Sequence, residues 1–579
     1  MNNQNFIKKA FWVFVVNSVL GSLSVTLGTM ADAIIVGNVL GESGLAGINI
    51  AMPVYMFYNM LSFAIGIGAT TKVSVAIGED NKTEMAKVFS VSIFWGFAIS
   101  ILFSLVSSLF IEQIVSFLSG GTLLGQYKEY VKMILVSAPV FILTPILNLL
   151  LRADSDIKLS TIGIFVSAVV NIVLDIVFVY GLKLNLYGAA LAMVFGQLAA
   201  FCIYLIHFFK KKNCLKFVPI KIRISEAIEL FESGFGVASS YMYQCITIIS
   251  FNNILGMVAG SVGIAVFGIL FNVSCLAYTI FDGISLAIVP LVGMFLGERN
   301  PEGIEITMKN ALKTALIAGV TITVIILVFS SNIFALFGVS NLKIVGRRAI
   351  MYYGAAVTFI CFNSVMICYY QTIGRKKFST VMNFFRSCVF MLSLGLVFIG
   401  NLGIDGLGLT FLFAESISSA CILTAAINEK KKGDFDNLLL LQKTDGDSGY
   451  EVMLDKDFKL LPKVVEDIEI FCEENEISPD KAYYINLTIE ELASNIIQFG
   501  FNDNKPHYIS IKVVVYEEDV YIRLRDDAVD YNPFERDNKS PNSLDDMDMD
   551  FIGVTLIRQK AKSFIYQRKL VFNNLLIIL

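Results

Sequence analysis

Three polar residues interrupt apolar stretches in the first half of the chain: Asp32 in one stretch, and Asn171 and Asp175 in another. Asn171 and Asp175 are four positions apart and therefore share a helix face. A carboxylate at the centre of a membrane helix costs about 2.5 to 3.5 kcal/mol on insertion scales, and such residues usually serve a function. We interpret these three side chains as a candidate functional site.

A structural role is the alternative for this cluster. One carboxylate could form only a structural ion pair, or lie near the membrane surface where water reaches it. Asn148, in a further apolar stretch, is a weaker member of the site, because Asn in membrane helices often only joins neighbouring helices by hydrogen bonds.

A second pair lies in the segment INLTIEELASNIIQFGF, residues 485–501, where Glu491 and Asn495 are also four positions apart. An Asn oxygen can bind Mg²⁺, while a carboxylate beside it can orient or deprotonate a nucleophile. Taken alone, this spacing equally fits an ordinary solvated helix face. The elements around the pair must therefore decide between the two interpretations.

Composition places most of the chain in a membrane. Of 579 residues, 55% are hydrophobic and 16% charged, and the mean hydropathy is +0.68. A net charge of −4 does not favour a nucleic-acid partner, and 9 scattered Cys and 2 His suggest neither a disulfide framework nor histidine chemistry. No small-residue cleavage site follows Lys8 and Lys9, so we expect a retained first helix rather than a signal peptide.

Residues 1–428 contain twelve apolar segments that are long enough to cross a bilayer. Most basic residues fall on one side of a twelve-helix arrangement, among them Lys8, Lys82, Arg152, the runs Lys210–Lys212 and Lys430–Lys432, and Arg375. The positive-inside rule then places both termini in the cytoplasm. The location that we expect for the chain is the plasma membrane of a prokaryote.

An internal repeat relates the two halves of the membrane region at an offset of 219 residues, which pairs Gly78 with Gly297 and Ser160 with Ser379. It predicts two six-helix lobes and alternating access around a central cavity. We expect an N-lobe at 1–209, a connector at 210–234, a C-lobe at 235–430, a linker at 431–450 and a separate domain at 451–579. Asp32, Asn171 and Asp175 pair with Phe or Leu, so the polar cluster belongs to the N-lobe alone.

The domain at 451–579 has an ordinary, acidic composition. Alternation and helical periodicity predict a strand near 450–455, helices at 462–475 and 479–499, strands at 508–515 and 519–525, a helix at 553–562 and one or two strands in 564–579. The fold expected for the whole chain is an all-α membrane protein of twelve helices followed by a cytosolic α+β sandwich.

Several motifs of the membrane region, among them MADAIIVGNVLGESGLAGINIAMPV (30–54), LRADSDIKLST (151–161) and NIVLDIVFVYGLKLNLYGAALA (171–192), resemble the multidrug and toxic compound extrusion (MATE) family. The resemblance implies a cation-coupled exporter of small organic cations, with H⁺ or Na⁺ bound at Asp32, Asn171 and Asp175 and with Asn148 as a fourth member. The C-lobe carboxylates Glu415 and Asp282 match no motif of the family.

In the C-terminal domain, RLRDDAVDYNPF (523–534), FIGVTLIRQKAKSF (551–564) and the closing NNLLIIL resemble the Bergerat-fold ATPases of the histidine-kinase type, most closely the anti-sigma-factor serine kinases. The resemblance implies an ATP and Mg²⁺ site, in which Glu491 is the general base, Asn495 the Mg²⁺ ligand, Asp526 the adenine-reading carboxylate and Gly553 a phosphate-loop glycine. Ala528 stands where a glycine is expected, and the phosphate lid carries Asp548, Asp550 and Ile552.

Four functions remain after these observations. The favoured one is a cation-coupled exporter in which the ATP-binding domain regulates transport or phosphorylates a protein substrate on serine. The others are a membrane-anchored regulatory serine kinase with a receptor-like membrane half, a lipid-linked-saccharide flippase, and an ATP-driven pump. A pump is disfavoured because the chain contains no G-x-x-x-x-G-K-[ST] motif.

Overall fold

The computed structural model describes most of the chain: residues 4–79, 81–118, 124–210, 213–219, 223–298, 300–336, 342–433, 437–441, 449–455, 460–501, 507–516, 519–528, 531–534, 552–569 and 572–579. These residues form two compact units. The membrane unit is Phe11–Leu441, and the C-terminal unit is Met1–Ala10 together with Gln442–Leu579.

The membrane unit is helical. Its helices are α1 (Gln4–Gly78), α2 (Lys82–Leu109), α3 (Ile111–Leu118), α4 (Leu124–Val136), α5 (Ala138–Ala153), α6 (Ile157–Asp175), α7 (Asn185–Leu205), α8 (Ile224–Gly297), α9 (Pro301–Leu336), α10 (Lys343–Thr372), α11 (Lys376–Phe384), α12 (Met391–Leu402) and α13 (Ile404–Lys432). π-helical turns follow α6 at Ile176–Gly181 and α11 at Phe385–Phe390.

Among the described residues, eleven helical segments are long and apolar enough to cross a membrane. A twelfth span results when Lys128–Val136 and Ala138–Ala153, which meet at 48°, are counted together. Pro139 lies in the first turn after that bend, where a residue without a backbone N–H is tolerated. The count agrees with the twelve segments expected from hydropathy.

The helix boundaries repeat at the offset seen in the sequence. α2 and α9 start at 82 and 301, α4 and α10 at 124 and 343, α6 and α11 at 157 and 376, and α7 and α13 at 185 and 404, so each pair is separated by 219 residues. α8 begins at Ile224, whereas the sequence places the end of the connector at 234. Charged residues such as Glu226 and Glu229 near the start of α8 hid its first turns from a hydropathy search.

The two lobes meet through backbone at the lysine-rich end of the membrane unit. A Cβ atom on Gly78 would overlap the Met294 carbonyl group, and one on Gly297 would overlap the Val75 carbonyl group. Both pairs are related by the offset of 219, so the contact is the same when viewed from either lobe. Glycine is required at both positions because no side chain fits.

The C-terminal unit is a two-layer α+β sandwich. Its strands are β1 (Gly449–Asp455), β2 (Tyr508–Tyr516), β3 (Asp519–Asp526), β4 (Ser563–Lys569) and β5 (Phe572–Ile578), and its helices are α14 (Leu461–Glu474), α15 (Pro479–Asn495) and α16 (Ile552–Lys560). The sheet is antiparallel in the order β1-β2-β3-β5-β4. The helices and the sheet enclose a core that includes Ile489, Leu492, Ile511, Leu524 and Ile577, all fully buried.

Candidate functional site

Asp32 on α1 and Asp175 at the end of α6 are buried, with 3% and 0% of their surface exposed. Their carboxyl groups lie within interaction range of each other. Oδ1 of Asp32 and both carboxyl oxygens of Asp175 contact no hydrogen-bond donor in the described part of the chain. Because ionised carboxylates only accept hydrogen bonds, two that face each other require a proton or a cation between them. We call these residues the N-lobe carboxyl pair.

Local structure fixes the position of this pair. Asn171 lies one turn before Asp175, and its buried Nδ2 has no acceptor among the described residues. α7 approaches α6 closely here because Gly196 lies against Asn171: a Cβ on Gly196 would be 3.2 Å from Asn171 Cβ. A π-helical turn starts directly after Asp175, and such turns often accompany functional positions.

Tyr130 is a neighbour of the pair that sequence reasoning did not select. Its ring on α4 is 1% exposed, and its hydroxyl lies within interaction range of both carboxyl groups and of the Tyr55 hydroxyl. A phenol O–H can donate a hydrogen bond to a carboxylate. Tyr is common in membrane helices, so its residue type alone carried no signal.

Asn148 lies in a different network. Its Nδ2 donates to Tyr204 Oη at 2.7 Å and to Ser160 Oγ at 2.9 Å. Ser160 is 15 residues before Asp175 on α6, which corresponds to roughly 22 Å along a helix. The structure therefore does not bring Asn148 to the N-lobe carboxyl pair, and the contacts it makes are those of an interhelical hydrogen-bonding residue.

The C-lobe carries a buried ion pair instead. Arg386 Nε donates to Glu415 Oε2 at 2.8 Å, and Asn363 Nδ2 donates to the same oxygen at 2.7 Å. At the equivalent N-lobe positions, Ser167 and Gly196, α6 and α7 touch directly: a Cβ on Gly196 would be 2.8 Å from the Ser167 carbonyl oxygen. Glu415 is thus neutralised by a fixed cation, whereas the N-lobe carboxyl pair has no Lys or Arg partner in the described residues.

In the C-terminal unit, Asp526 ends β3 and is 1% exposed. Its Oδ1 accepts hydrogen bonds from the Ala528 N–H at 2.9 Å and from Asn573 Nδ2 at 2.7 Å. Its Oδ2 is buried without a donor among the described residues, and burial raises the pKa of Asp526 to about 7. A buried carboxyl oxygen of this kind is available to a ligand that donates a hydrogen bond.

The other predicted residues of this domain lie on neighbouring helices. Glu491 and Asn495 are on the last turns of α15, with Asn495 buried. Gly553 is in the first turn of α16, and a Cβ on it would overlap the Glu491 carboxyl group. The N-terminus of a helix attracts anions, so the Glu491 carboxyl group lies at a position that suits negative charge. Asp548 and Asp550 of the predicted lid lie outside the described residues.

Asp526 predicts a pH dependence of stability. Since the folded domain holds its proton with a pKa of about 7 rather than the ordinary 3.8, the C-terminal unit should lose stability as pH rises from about 4 to about 7, by up to roughly 4 kcal/mol. Asp526→Asn should flatten this dependence. Hydrogen–deuterium exchange of β3 and β5 in the full chain, corrected for intrinsic rates, measures it.

Asp519→Asn is the matched control, because Asp519 lies on the same strand but is partly exposed and pairs with Lys562. It should keep the pH dependence of the wild type. If the stability of Asp526→Asn depended on pH as strongly as that of the wild type, Asp526 would not be the cause of the pH dependence.

Comparisons with known proteins agree with the fold of the membrane unit. The family model described as MatE matches residues 18–177 and 234–397. The multidrug export protein MepA of Staphylococcus saprophyticus is 27% identical over 431 residues, which span 72% of this chain and 92% of that protein. MepA of Staphylococcus aureus strain MRSA252 is 25% identical over 433 residues, with the same shares of 72% and 92%.

Solved structures show the same architecture. One, described as the outward-facing conformation of a multidrug resistance MATE family transporter of the MOP superfamily, superposes with a TM-score of 0.67 at 21% identity. A MOP superfamily transporter from Pyrococcus furiosus gives 0.68 at 21% identity. Each match covers 72% of this chain and 94% of the solved chain. With more than half of its residues matched by the family model, the chain belongs to the MatE family.

Proposed function

We propose that this protein is a cation-coupled antiporter that exports small organic cations, including drugs, by alternating access. The main support for this proposal is the N-lobe carboxyl pair. Its two buried carboxyl groups lie within interaction range of each other, and no cationic side chain of the described residues is bound to them. The MepA proteins, named multidrug export proteins, support the choice of substrate.

The pair gives a physical route to coupling. With a proton or Na⁺ bound, Asp32 and Asp175 attract each other through it, and without it they repel. Each loading state therefore favours a different spacing of α1 and α6, and the lobe shifts between two arrangements. The donor set, two carboxylates and the amide of Asn171, suits either H⁺ or Na⁺, and we propose no choice between these ions.

We propose an orientation with both termini in the cytoplasm. The backbone contact between the lobes at Gly78 and Gly297 lies next to Lys82 at the start of α2, on the lysine-rich side. By the positive-inside rule that side faces the cytoplasm. In this arrangement the lobes are closed toward the cytoplasm and the conformation is outward-facing.

We further propose that the C-terminal unit binds ATP with Mg²⁺ and uses it to regulate transport or to phosphorylate a protein on serine. Asp526 Oδ2 is buried without a donor among the described residues, as a group that reads the amino edge of adenine must be. Asn495 is at the end of α15, and α16 presents its N-terminus, the end of a helix that suits a phosphate.

Binding of Mg²⁺ in this unit would depend on bound nucleotide. No group of three or more His, Cys, Asp or Glu side chains that could hold a metal ion occurs in the described residues. Asn495 alone is a weak ligand, and Mg²⁺ in nucleotide sites takes most of its ligands from phosphates and water. When bound, ATP supplies those phosphate oxygens, and Glu491 is the group positioned to hold or accept a proton.

Dye transport in proteoliposomes tests the transport proposal. The purified full chain should move a fluorescent cationic dye when an H⁺ or a Na⁺ gradient is imposed, without ATP on either side. Liposomes without protein and liposomes with both gradients dissipated are the controls. Transport that required ATP and ignored both gradients would refute the proposal, and no transport under any condition would favour the receptor-anchored kinase.

A further inference from the structure

A cavity of about 570 Å³ lies in the N-lobe between α2, α5, α7 and the connector that precedes α8. It is apart from the N-lobe carboxyl pair, and none of the residues of that pair lines it. Most of its wall is apolar, and two lysines stand at its connector side; the lining includes Phe89, Leu143, Phe201, Leu215, Lys210 and Lys216.

Specific hydrogen bonds hold the connector wall of this cavity in place. The backbone N–H of Cys214 donates to Asp154 Oδ2 at 3.1 Å, and that of Val218 donates to Ser90 Oγ on α2 at 2.9 Å. Asp154 is itself bound to His207 Nε2 at 2.8 Å. Because these partners belong to the lobe itself, the cavity is a built part of the N-lobe.

The charges at the cavity are positive. Lys216 is exposed and makes no ion pair with any described residue, while Lys210 is bound to Asp156. The sequence places Lys211 and Lys212 between them, outside the described residues. Asp154 and Asp156 are bound by His207 and Lys210, which leaves Lys216 as the charge at the cavity without an ion-pair partner among the described residues. A positive charge at this end disfavours the organic cations proposed as cargo.

The rim of the cavity suits lipid rather than water. Leu205 at the end of α7 and Phe217 in the connector line it and are 39% and 63% exposed. Exposed apolar side chains of this size beside a membrane helix contact acyl chains. An apolar volume with lysines at one end matches a molecule with a hydrocarbon body and a negative head. A free phosphate ion would satisfy the lysines but leave the apolar volume empty.

We propose that this cavity binds an anionic phospholipid, with an acyl chain between α2, α5 and α7 and the phosphate beside Lys216. Basic pockets between membrane helices are a recurrent way to bind such head groups. The bound lipid fills the gap between the helices and the connector, and so stabilises the start of the covalent link between the two lobes.

Lipid retention by the full chain tests the proposal. After delipidation in detergent, phosphatidylglycerol should bind, as measured by native mass spectrometry, and should raise the thermal unfolding temperature; phosphatidylcholine and glycerol 3-phosphate should do neither. Lys216→Glu should weaken phosphatidylglycerol binding on the order of tenfold. Lys158→Glu, which changes another exposed lysine at the start of α6 that does not line the cavity, should not.

A second variant pair tests the apolar part without changing charge. Ile93→Trp places a larger side chain on the half-buried cavity wall and should displace the lipid, whereas Leu102→Trp, on the same helix but 63% exposed and outside the cavity, should not. The proposal would be overturned if phosphatidylcholine bound as well as phosphatidylglycerol, or if glycerol 3-phosphate raised the unfolding temperature as much. It would also be overturned if the two variants of either pair had the same effect on lipid binding.

Discussion

Replacing Asp175 with Asn should abolish gradient-driven export, with a loss of at least about tenfold in transport rate, while substrate binding changes little. The amide keeps the shape of the protonated carboxyl group but can neither release a proton nor bind Na⁺ as a charged ligand. The carboxyl pair would then remain in one loading state and the cycle would stop. Dye efflux and equilibrium dye binding, measured on the same protein, separate the two effects.

Asp32→Asn should give the same result, because both members of the pair are needed for the change between attraction and repulsion. Asp405→Asn is the control: Asp405 is partly exposed in an ion pair with Arg348 at 3.2 Å, and exposed pairs contribute little. Wild-type rates in both Asp175→Asn and Asp32→Asn would refute coupling through the N-lobe.

The second large effect is expected in the C-terminal unit, where substitutions of Glu491 and Asn495 should impair different steps. Glu491→Gln should keep ATP binding but lose hydrolysis or serine phosphorylation, since the amide fits against Gly553 and cannot accept a proton. Asn495→Ala should weaken Mg²⁺-dependent binding itself, on the order of tenfold. Calorimetry with ATP, with and without Mg²⁺, on the full chain distinguishes the two.

Asn486→Ala provides the matched control, because Asn486 is on the same helix and bonds to Glu469 at 3.3 Å. It should leave nucleotide binding unchanged. Gradient-driven dye export should survive in all three variants, since its energy comes from the ion gradient. No ATP binding by the wild type at millimolar concentration would reduce this unit to a protein-interaction module.

The repeat allowed much of the fold to be predicted from the sequence. Gly and Ser at fixed offsets mark loops and helix starts, and these positions depend on local backbone geometry. The elements of the C-terminal unit were also predicted to within a few residues, because alternation and helical periodicity are local signals. The start of α8 at Ile224 was missed because its first turns, which include Glu226, are too polar for a hydropathy search.

Side-chain partners could not be predicted in the same way. Arg386 and Glu415 are 29 residues apart in sequence, and only the packing of neighbouring helices shows that they neutralise each other. Asn148 resembled a site residue by type. Its side-chain amide instead donates a hydrogen bond to Tyr204, which is 56 residues away in the sequence. The sequence did contain one signal for such a pair. Arg386 is isolated in an apolar segment, and an arginine in that setting usually has a buried partner.

The glycine contact of Gly78 with Met294, and of Gly297 with Val75, gives the seam between the lobes an unusual property. Because the lobes touch at these glycines through main chain rather than interlocked side chains, separating them at this contact requires no change of rotamers there. Even a single methyl group at either glycine would wedge the seam apart. Evolution could therefore bias the resting orientation of the whole carrier by one carbon atom, placed far from the ions and the cargo that it moves.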